Sequence, residues 1–423
     1  MAQLPAESAI LVAAARMQPR NSDVEYPFRQ NSDFYYLTGF DEPDAILLLL
    51  PGNEDGEYVL FCQDKDPLME IWHGYRAGPD GCVRDYGADG AWPIERIDEQ
   101  IIGLLDGRQR LYYSMGQDTE LDSQIQLWLN VLRQGGRRGL QSPTSLQQLD
   151  PVLHEMRLFK SADELAVMRE AGELSAQAHK DAMRVCQPGM FEYQLEATIT
   201  HRFAMAGHRQ CAYPSIVGGG DNACVLHYTE NNQPLNDGDL VLIDAGVEQD
   251  YYAADITRTF PVNGRFSPEQ KAIYELVLKA QQVCIEACQP GVPLNRIHDL
   301  SVDVLTEGLL ELGILRGELQ DLIEVGACRD FYMHRIGHWL GMDVHDVGST
   351  RINGDWRVLE PGMVMTIEPG LYIAPDCRKV DERWRGIGVR IEDNVLITED
   401  GYEVLTASAP TTVADIEALM AEG

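Results

Sequence analysis

In the second half of the sequence, four carboxylates each border an apolar, strand-like run. Asp244 closes Leu240-Val-Leu-Ile243, Asp255 opens onto Ile256-Thr-Arg-Thr-Phe260, Glu368 follows Met363-Val-Met-Thr-Ile367, and Glu392 lies inside Val389-Arg-Ile-Glu-Asp-Asn-Val395. A carboxylate at the end of a buried strand is costly unless something pairs with it. Asp244 and Asp255 are 11 residues apart, and a hairpin would set them side by side. On spacing alone, two turn aspartates fit as well. A glycine-punctuated stretch, His334-Arg-Ile-Gly-His338-Trp-Leu-Gly-Met-Asp-Val-His345, adds three of the ten histidines. His334 and His338 have helical spacing, but Gly337 and Gly341 disfavour a helix, so a loop or strand is expected.

Four carboxylates and an imidazole share a pocket only in the company of cations. Two divalent ions supply four positive charges. The oxygen-rich donors with one imidazole suit Mn²⁺, with Co²⁺, Zn²⁺ and Fe²⁺ also compatible. Closely spaced ions can share a water, lower its pKa and deliver hydroxide to a polarised carbonyl, so the expected chemistry is hydrolysis. No G-x-S-x-G, H-E-x-x-H, P-loop or G-x-G-x-x-G stands in a strand-to-helix context, which leaves serine hydrolase, zincin, NTPase and dinucleotide readings without an anchor.

Charge and composition narrow the setting. With 34 Lys and Arg against 67 Asp and Glu, the net charge is −33, a field that repels phosphates and excludes a nucleic-acid binder built on positive charge. The apolar run 45–50 is far short of the roughly 20 residues that span a bilayer. A second run, 9–15, follows Glu7 with no Lys or Arg before it, the wrong start for an export signal, and reads as a helix or strand of the fold. Nine scattered cysteines without a C-x-x-C indicate reduced thiols and a cytoplasmic location. Cys284 and Cys288 share a helical face and read as core packing.

Two domains are expected, with the boundary near 150–160. The first is α/β: FYYLTGF, AILLLL and YVLFC within 34–62 read as successive strands, with helices around 94–105 and 121–132, and the domain ending near the basic RQGGRRG at 133–139. From Ser161 a capping box opens a long amphipathic helix to about Cys186, and another helix follows. Strands from 215, helices at 268–288 and 294–312, then strands to the end give an α+β domain with internal halves.

The sequence resembles the aminopeptidase P branch of the M24 "pita-bread" metallopeptidases almost end to end. The resemblance rests on Leu226-His-Tyr-Thr-Glu-Asn231, Leu242-Ile-Asp-Ala-Gly246, Asp255-Ile-Thr-Arg-Thr-Phe260, His338-Trp-Leu-Gly-Met-Asp-Val-His345, Thr366-Ile-Glu-Pro-Gly-Leu-Tyr372 and Gly386-Ile-Gly-Val-Arg-Ile-Glu-Asp393. Tyr26–Phe40, Glu70-Ile-Trp72 and His154-Glu-Met-Arg-Leu-Phe-Lys-Ser161 carry it in the N-terminal part. It implies a creatinase-like α/β N-domain over 1–157 and a pita-bread catalytic domain over 158–423. It also implies cleavage of an N-terminal Xaa-Pro bond by a hydroxide bridging two divalent metals. The alternatives are an Xaa-Pro dipeptidase, a prolidase, or a non-catalytic peptide-binding protein on the same fold.

Residue by residue, the resemblance makes Asp244 a ligand of one ion, Asp255 and Glu392 bridging ligands, and His338 with Glu368 ligands of the other. Glu368 would also handle the proton of the nucleophile. His227 and His345 would contact substrate and stabilise the tetrahedral intermediate, and His334 would line the proline region. Arg390 would pair with an N-domain aspartate, Asp23. Tyr213 matches a site-lining tyrosine within a variant of the family pattern. Trp72 and Arg137 match residues that a neighbouring subunit contributes in tetrameric members, which implies a homo-oligomer, dimer or tetramer. Without that role, Trp72 would be an exposed aromatic packing against its own domain and Arg137 a solvated member of a basic run.

Overall fold

The computed structural model describes residues 4–423 and divides into two compact units, 1–153 and 154–423. The division falls within helix Asp150–Leu158, slightly before residue 157.

The first unit is built on the 9–15 run. Strand Ser8–Ala13 lies inside a six-stranded mixed sheet, antiparallel to Ile46–Leu49 and parallel to Arg110–Tyr113. Its side chains alternate between two cores. Ala9 and Leu11 join Ile101, Ile125 and Trp128 of two helices on one face, whereas Ile10 and Val12 join Phe34, Phe40 and Cys82 on the other. A strand covered on both faces reads as an unbroken apolar run, which is why periodicity left helix or strand open. The segment FYYLTGF is not a strand. Ser32–Thr38 is a helix, because the Asn31 side chain caps it by accepting from Phe34 N and Gly39 ends it in the left-handed region at φ 63°. Local capping outweighs the strand preference of the aromatics. The unit also continues beyond RQGGRRG: Ser145–Gln148 adds a strand parallel to Arg110–Tyr113.

In the second unit, Ser161 and Glu164 form the expected capping box, and helix Ala162–Val185 ends at Cys186. Helix Glu192–Met205 follows, then an antiparallel sheet of Ile216–Gly219, Leu240–Asp244 and Thr257–Pro261. The order then repeats. Helices Pro268–Glu286 and Leu294–Glu311 precede strands Val364–Ile367, Gly370–Ile373, Ile387–Arg390 and Asp393–Thr398. Helix Val413–Met420 closes the chain. Cys284 and Cys288 are fully buried, their thiols donating to the carbonyls of Ile297 and Cys284. No helix among the described residues is long and apolar enough to cross a membrane.

Candidate metal centre

Backbone pairing draws the first two carboxylates together. Strands Leu240–Asp244 and Thr257–Pro261 are antiparallel with Asp244 opposite Thr257, so Asp255 enters the same end of the sheet. Gly246 allows this closure: a Cβ there would meet the Ala254 carbonyl oxygen at 1.8 Å. Asn394 clamps Asp255 by its backbone, accepting from its N–H at 3.1 Å and donating to its carbonyl. Glu392 joins them through a bridge to Thr257, its N–H donating to the Thr257 carbonyl at 3.1 Å.

The other two ligands arrive along strand Val364–Ile367. The 334–345 segment is a loop, as its glycines imply, laced to that strand by Thr366 N to the His338 carbonyl at 2.9 Å and Glu368 N to the Ile336 carbonyl at 2.8 Å. Gly337 is required by this approach, because a Cβ would lie 1.9 Å from the Thr366 carbonyl oxygen. His338 Nδ1 is 2.9 Å from the carbonyl of Trp339 and so carries the proton. That tautomer is assigned from the partner and leaves Nε2 to face the carboxylates. Nε2 lies 3.3 Å from Asp255 Oδ2 and 3.5 Å from Glu368 Oε1.

Asp255, His338 and Glu392 offer ligand atoms all within 4.8 Å of one another. Asp244 is joined to Asp255 through Tyr213, whose hydroxyl is 2.5 Å from Asp244 Oδ1 and 2.7 Å from Asp255 Oδ1. A phenol has one proton to give, so one of these contacts needs a proton on a carboxyl. Burial raises the pKa of Asp244, with Arg390 opposing and Asp255 adding to it. Burial also lifts Glu392 well above the carboxylate range and holds Glu368 at about 7. For His338, burial opposes the charge, but the bond to Asp255 and the charges of Glu368 and Asp255 carry it up to about 9. A donor set that takes up protons to share one buried space fits divalent cations, which would replace those protons.

Arg390 brings a guanidinium to these side-chain carboxylates. Its Nη2 donates to Asp244 Oδ2 at 2.6 Å, Nη1 to the Tyr372 hydroxyl at 3.0 Å and Nε to Thr257 Oγ1 at 3.0 Å. The Thr257 hydroxyl in turn donates to Glu392 Oε2 at 2.6 Å. Within this unit the carboxylate held by Arg390 is therefore Asp244. Asp23 is an exposed residue of the first unit, beside strand Val24–Glu25. Trp72, 81% exposed, and Arg137, also exposed, belong to that unit too.

Of the other histidines, His334 accepts at Nε2 from the Tyr372 hydroxyl at 2.9 Å and donates from Nδ1 to the Arg335 carbonyl. Burial holds it neutral, down at about 4. The His345 ring centroid is 4.2 Å from that of His338, and burial and the charge of His338 lower its pKa. His227 is exposed.

Several supporting residues were not singled out from the sequence. Besides Thr257 and Asn394 these include Arg258, fully buried, which donates to the backbone carbonyls of Thr257 and Glu392 and to Asp393 Oδ1 at 2.7 Å. The only signal was their place inside the strand runs beside Asp255 and Glu392.

The family model for metallopeptidase family M24 matches residues 166–399, and that for the aminopeptidase P N-terminal domain matches residues 1–112. The chain is 48% identical over 419 residues to an Xaa-Pro aminopeptidase of Escherichia coli, covering 99% of this chain and 95% of that protein. An Xaa-Pro aminopeptidase of Haemophilus influenzae is 46% identical, with 99% and 94% covered. Among solved structures, an aminopeptidase PepP of Pseudomonas aeruginosa matches with TM-score 0.98 and 56% identity, covering 100% of this chain and 95% of that one. The α/β N-domain and pita-bread catalytic domain expected from the sequence are those of these relatives. The chain belongs to metallopeptidase family M24, in the branch whose catalytic domain follows an aminopeptidase P N-terminal domain.

Proposed function

We propose that this protein is a metal-dependent Xaa-Pro aminopeptidase that removes the N-terminal residue from peptides with proline second. The observation that carries this reading is the convergence of Asp244, Asp255, His338, Glu368 and Glu392 on one buried centre in a chain matched over its length by Xaa-Pro aminopeptidases. Asp244, Asp255 and Glu392 would hold one divalent ion, and Asp255, Glu392, His338 and Glu368 a second, with Mn²⁺ suited to this donor set. When bound, such ions supply a Lewis acid that polarises the scissile carbonyl and activates water.

The residues supply the rest. Glu368 would take the proton of the attacking water and deliver it to the leaving proline nitrogen, a task for a carboxylate beside the nucleophile. His345 and His227 are the donors to the developing oxyanion. His334, kept neutral and flanked edge-on by Tyr332 and at a tilt by Tyr372, forms a wall for the proline ring. Tyr213 and Arg390 orient Asp244 from either side. In an assembled homo-oligomer, dimer or tetramer, Trp72 and Arg137 of a neighbouring copy would close the groove, which is consistent with the exposure of Trp72. Nine free cysteines support a cytoplasmic location.

The test is the initial rate on Xaa-Pro-Yaa, on the dipeptide Xaa-Pro and on Xaa-Ala-Yaa. Cleavage of the proline tripeptide but not its alanine counterpart is expected. Cleavage of the dipeptide alone would make the protein a prolidase, and no cleavage of any would favour a peptide-binding role.

A further inference from the structure

The last turn of helix Asp150–Leu158 and the connection into helix Ala162–Val185 carry two cations with almost no contact with solvent. The Arg157 side chain is 2% exposed and that of Lys160 is 1%. Both reach one loop. Arg157 Nη2 donates to Asp343 Oδ2 at 2.9 Å and to Asp346 Oδ1 at 2.7 Å, and Lys160 Nζ donates to Asp346 Oδ2 at 2.9 Å. Buried charges are tolerated only when paired and hydrogen-bonded in this way. A stabilising role for the fold alone would not require that both converge on the same loop.

That loop carries His345, between the two anchored aspartates. Asp346 N donates to the Trp339 carbonyl at 2.9 Å, and Gly341 N to that of Asp343 at 3.2 Å, closing the loop on itself beside His338. Gly341 lets the anchor enter, since a Cβ there would lie 2.1 Å from Asp346 Oδ2 and 2.9 Å from Lys160 Cε. The segment is fixed from behind as well, by Lys160 N donating to the Gly362 carbonyl at 2.9 Å. His345 itself is exposed, and its ring makes no hydrogen bond with any described residue. Its imidazole is therefore placed at 4.2 Å from that of His338 by the backbone on either side, and that backbone is held by Asp343 and Asp346.

We propose that Arg157 and Lys160 are positioning residues for His345, acting through Asp343 and Asp346 to set its imidazole at the substrate carbonyl. This rests on the role assigned to His345 above and extends it to a segment outside the metal centre. A displacement of about 1 Å in a catalytic group can cost up to ~100-fold in rate, so the effect belongs in kcat.

The test is a double-mutant cycle on a metal-saturated enzyme with an Xaa-Pro-Yaa substrate, with metal content and thermal melting measured beside it. Lys160→Met is expected to lower kcat about tenfold or more with KM nearly unchanged, and Lys160→Arg to recover part of the loss. In a His345→Ala background, Lys160→Met should then cause little further loss, because the group it positions is gone. Equal fold losses in the two backgrounds would overturn the proposal, as would an unchanged kcat in Lys160→Met. If Lys160→Met does not fold, Asp346→Asn, which keeps the side-chain shape, goes through the same cycle with the same expected outcomes. An unchanged kcat in His345→Ala alone would refute the role of His345 itself, a separate result from additivity in the cycle.

Discussion

Stripping the metal should leave a protein whose stability falls as pH rises from about 5.5 to 9. In the metal-free centre, burial holds the Glu368 carboxyl at about 7, above the ordinary ~4.3 of an unfolded chain. A group raised in this way favours folding at low pH, and that contribution is lost as pH climbs through about 7. His338, carried up to about 9 despite its burial, acts in the same sense: its contribution is complete below ~6.5 and lost through 9. His338 lies 3.5 Å from Glu368 and its charge draws the Glu368 pKa down against burial, so only the Glu368 shift is counted. Across the window from pH 5.5 upward, the Glu368 shift alone corresponds to about 2 kcal/mol. Spread over the 270 residues of 154–423, with an unfolding entropy of about 2.1 cal/mol/K per residue, that is about 3–4 °C in Tm. Calorimetry of chelator-stripped protein at pH 5.5, 7 and 9 measures it. Re-addition of Mn²⁺ should reverse the trend, because deprotonated ligands bind metal best. Glu368→Gln should flatten the metal-free slope. A metal-free Tm that stays level or rises toward pH 9 would refute the linkage.

Three substitutions probe the surroundings of the centre. Thr257→Val removes the hydroxyl that joins Arg390 to Glu392 and should weaken metal affinity about 10–100-fold by metal titration; affinity within twofold of the parent would count against that role. Gly337→Ala forces a Cβ onto the Thr366 carbonyl, and should cost about 1–3 kcal/mol in denaturant unfolding and displace His338, with loss of metal. A neutral outcome would mean that the approach is not tight. Trp72→Ala should leave unfolding stability within about 0.5 kcal/mol, since the ring is 81% exposed, while raising KM for Xaa-Pro peptides. An unchanged KM would remove Trp72 from the groove.

Much of the centre was legible because its residues are chemically expensive where they stand. Carboxylates against apolar strands announce a shared purpose, and the Asp244–Asp255 hairpin follows from two strand runs and a turn. The Ser161 capping box and the long helix after it were likewise local signals. What remained hidden depended on distant pairing. Arg390 meets Asp244 across 146 positions and Asn394 clamps Asp255 across 139, and no local pattern marks either partner. The helix Ser32–Thr38 was hidden for the opposite reason: its aromatics look strand-like, and only the cap at Asn31 and the turn at Gly39 decide otherwise.

The central claim, proline-directed hydrolysis that depends on metal at this centre, is tested most directly by titrating Mn²⁺ into stripped enzyme while following Xaa-Pro-Yaa and Xaa-Ala-Yaa together. The account predicts no cleavage before addition, recovery that saturates near two ions per subunit, and turnover confined to the proline peptide. Activity that survives complete stripping, or equal cleavage of the alanine peptide, would contradict it.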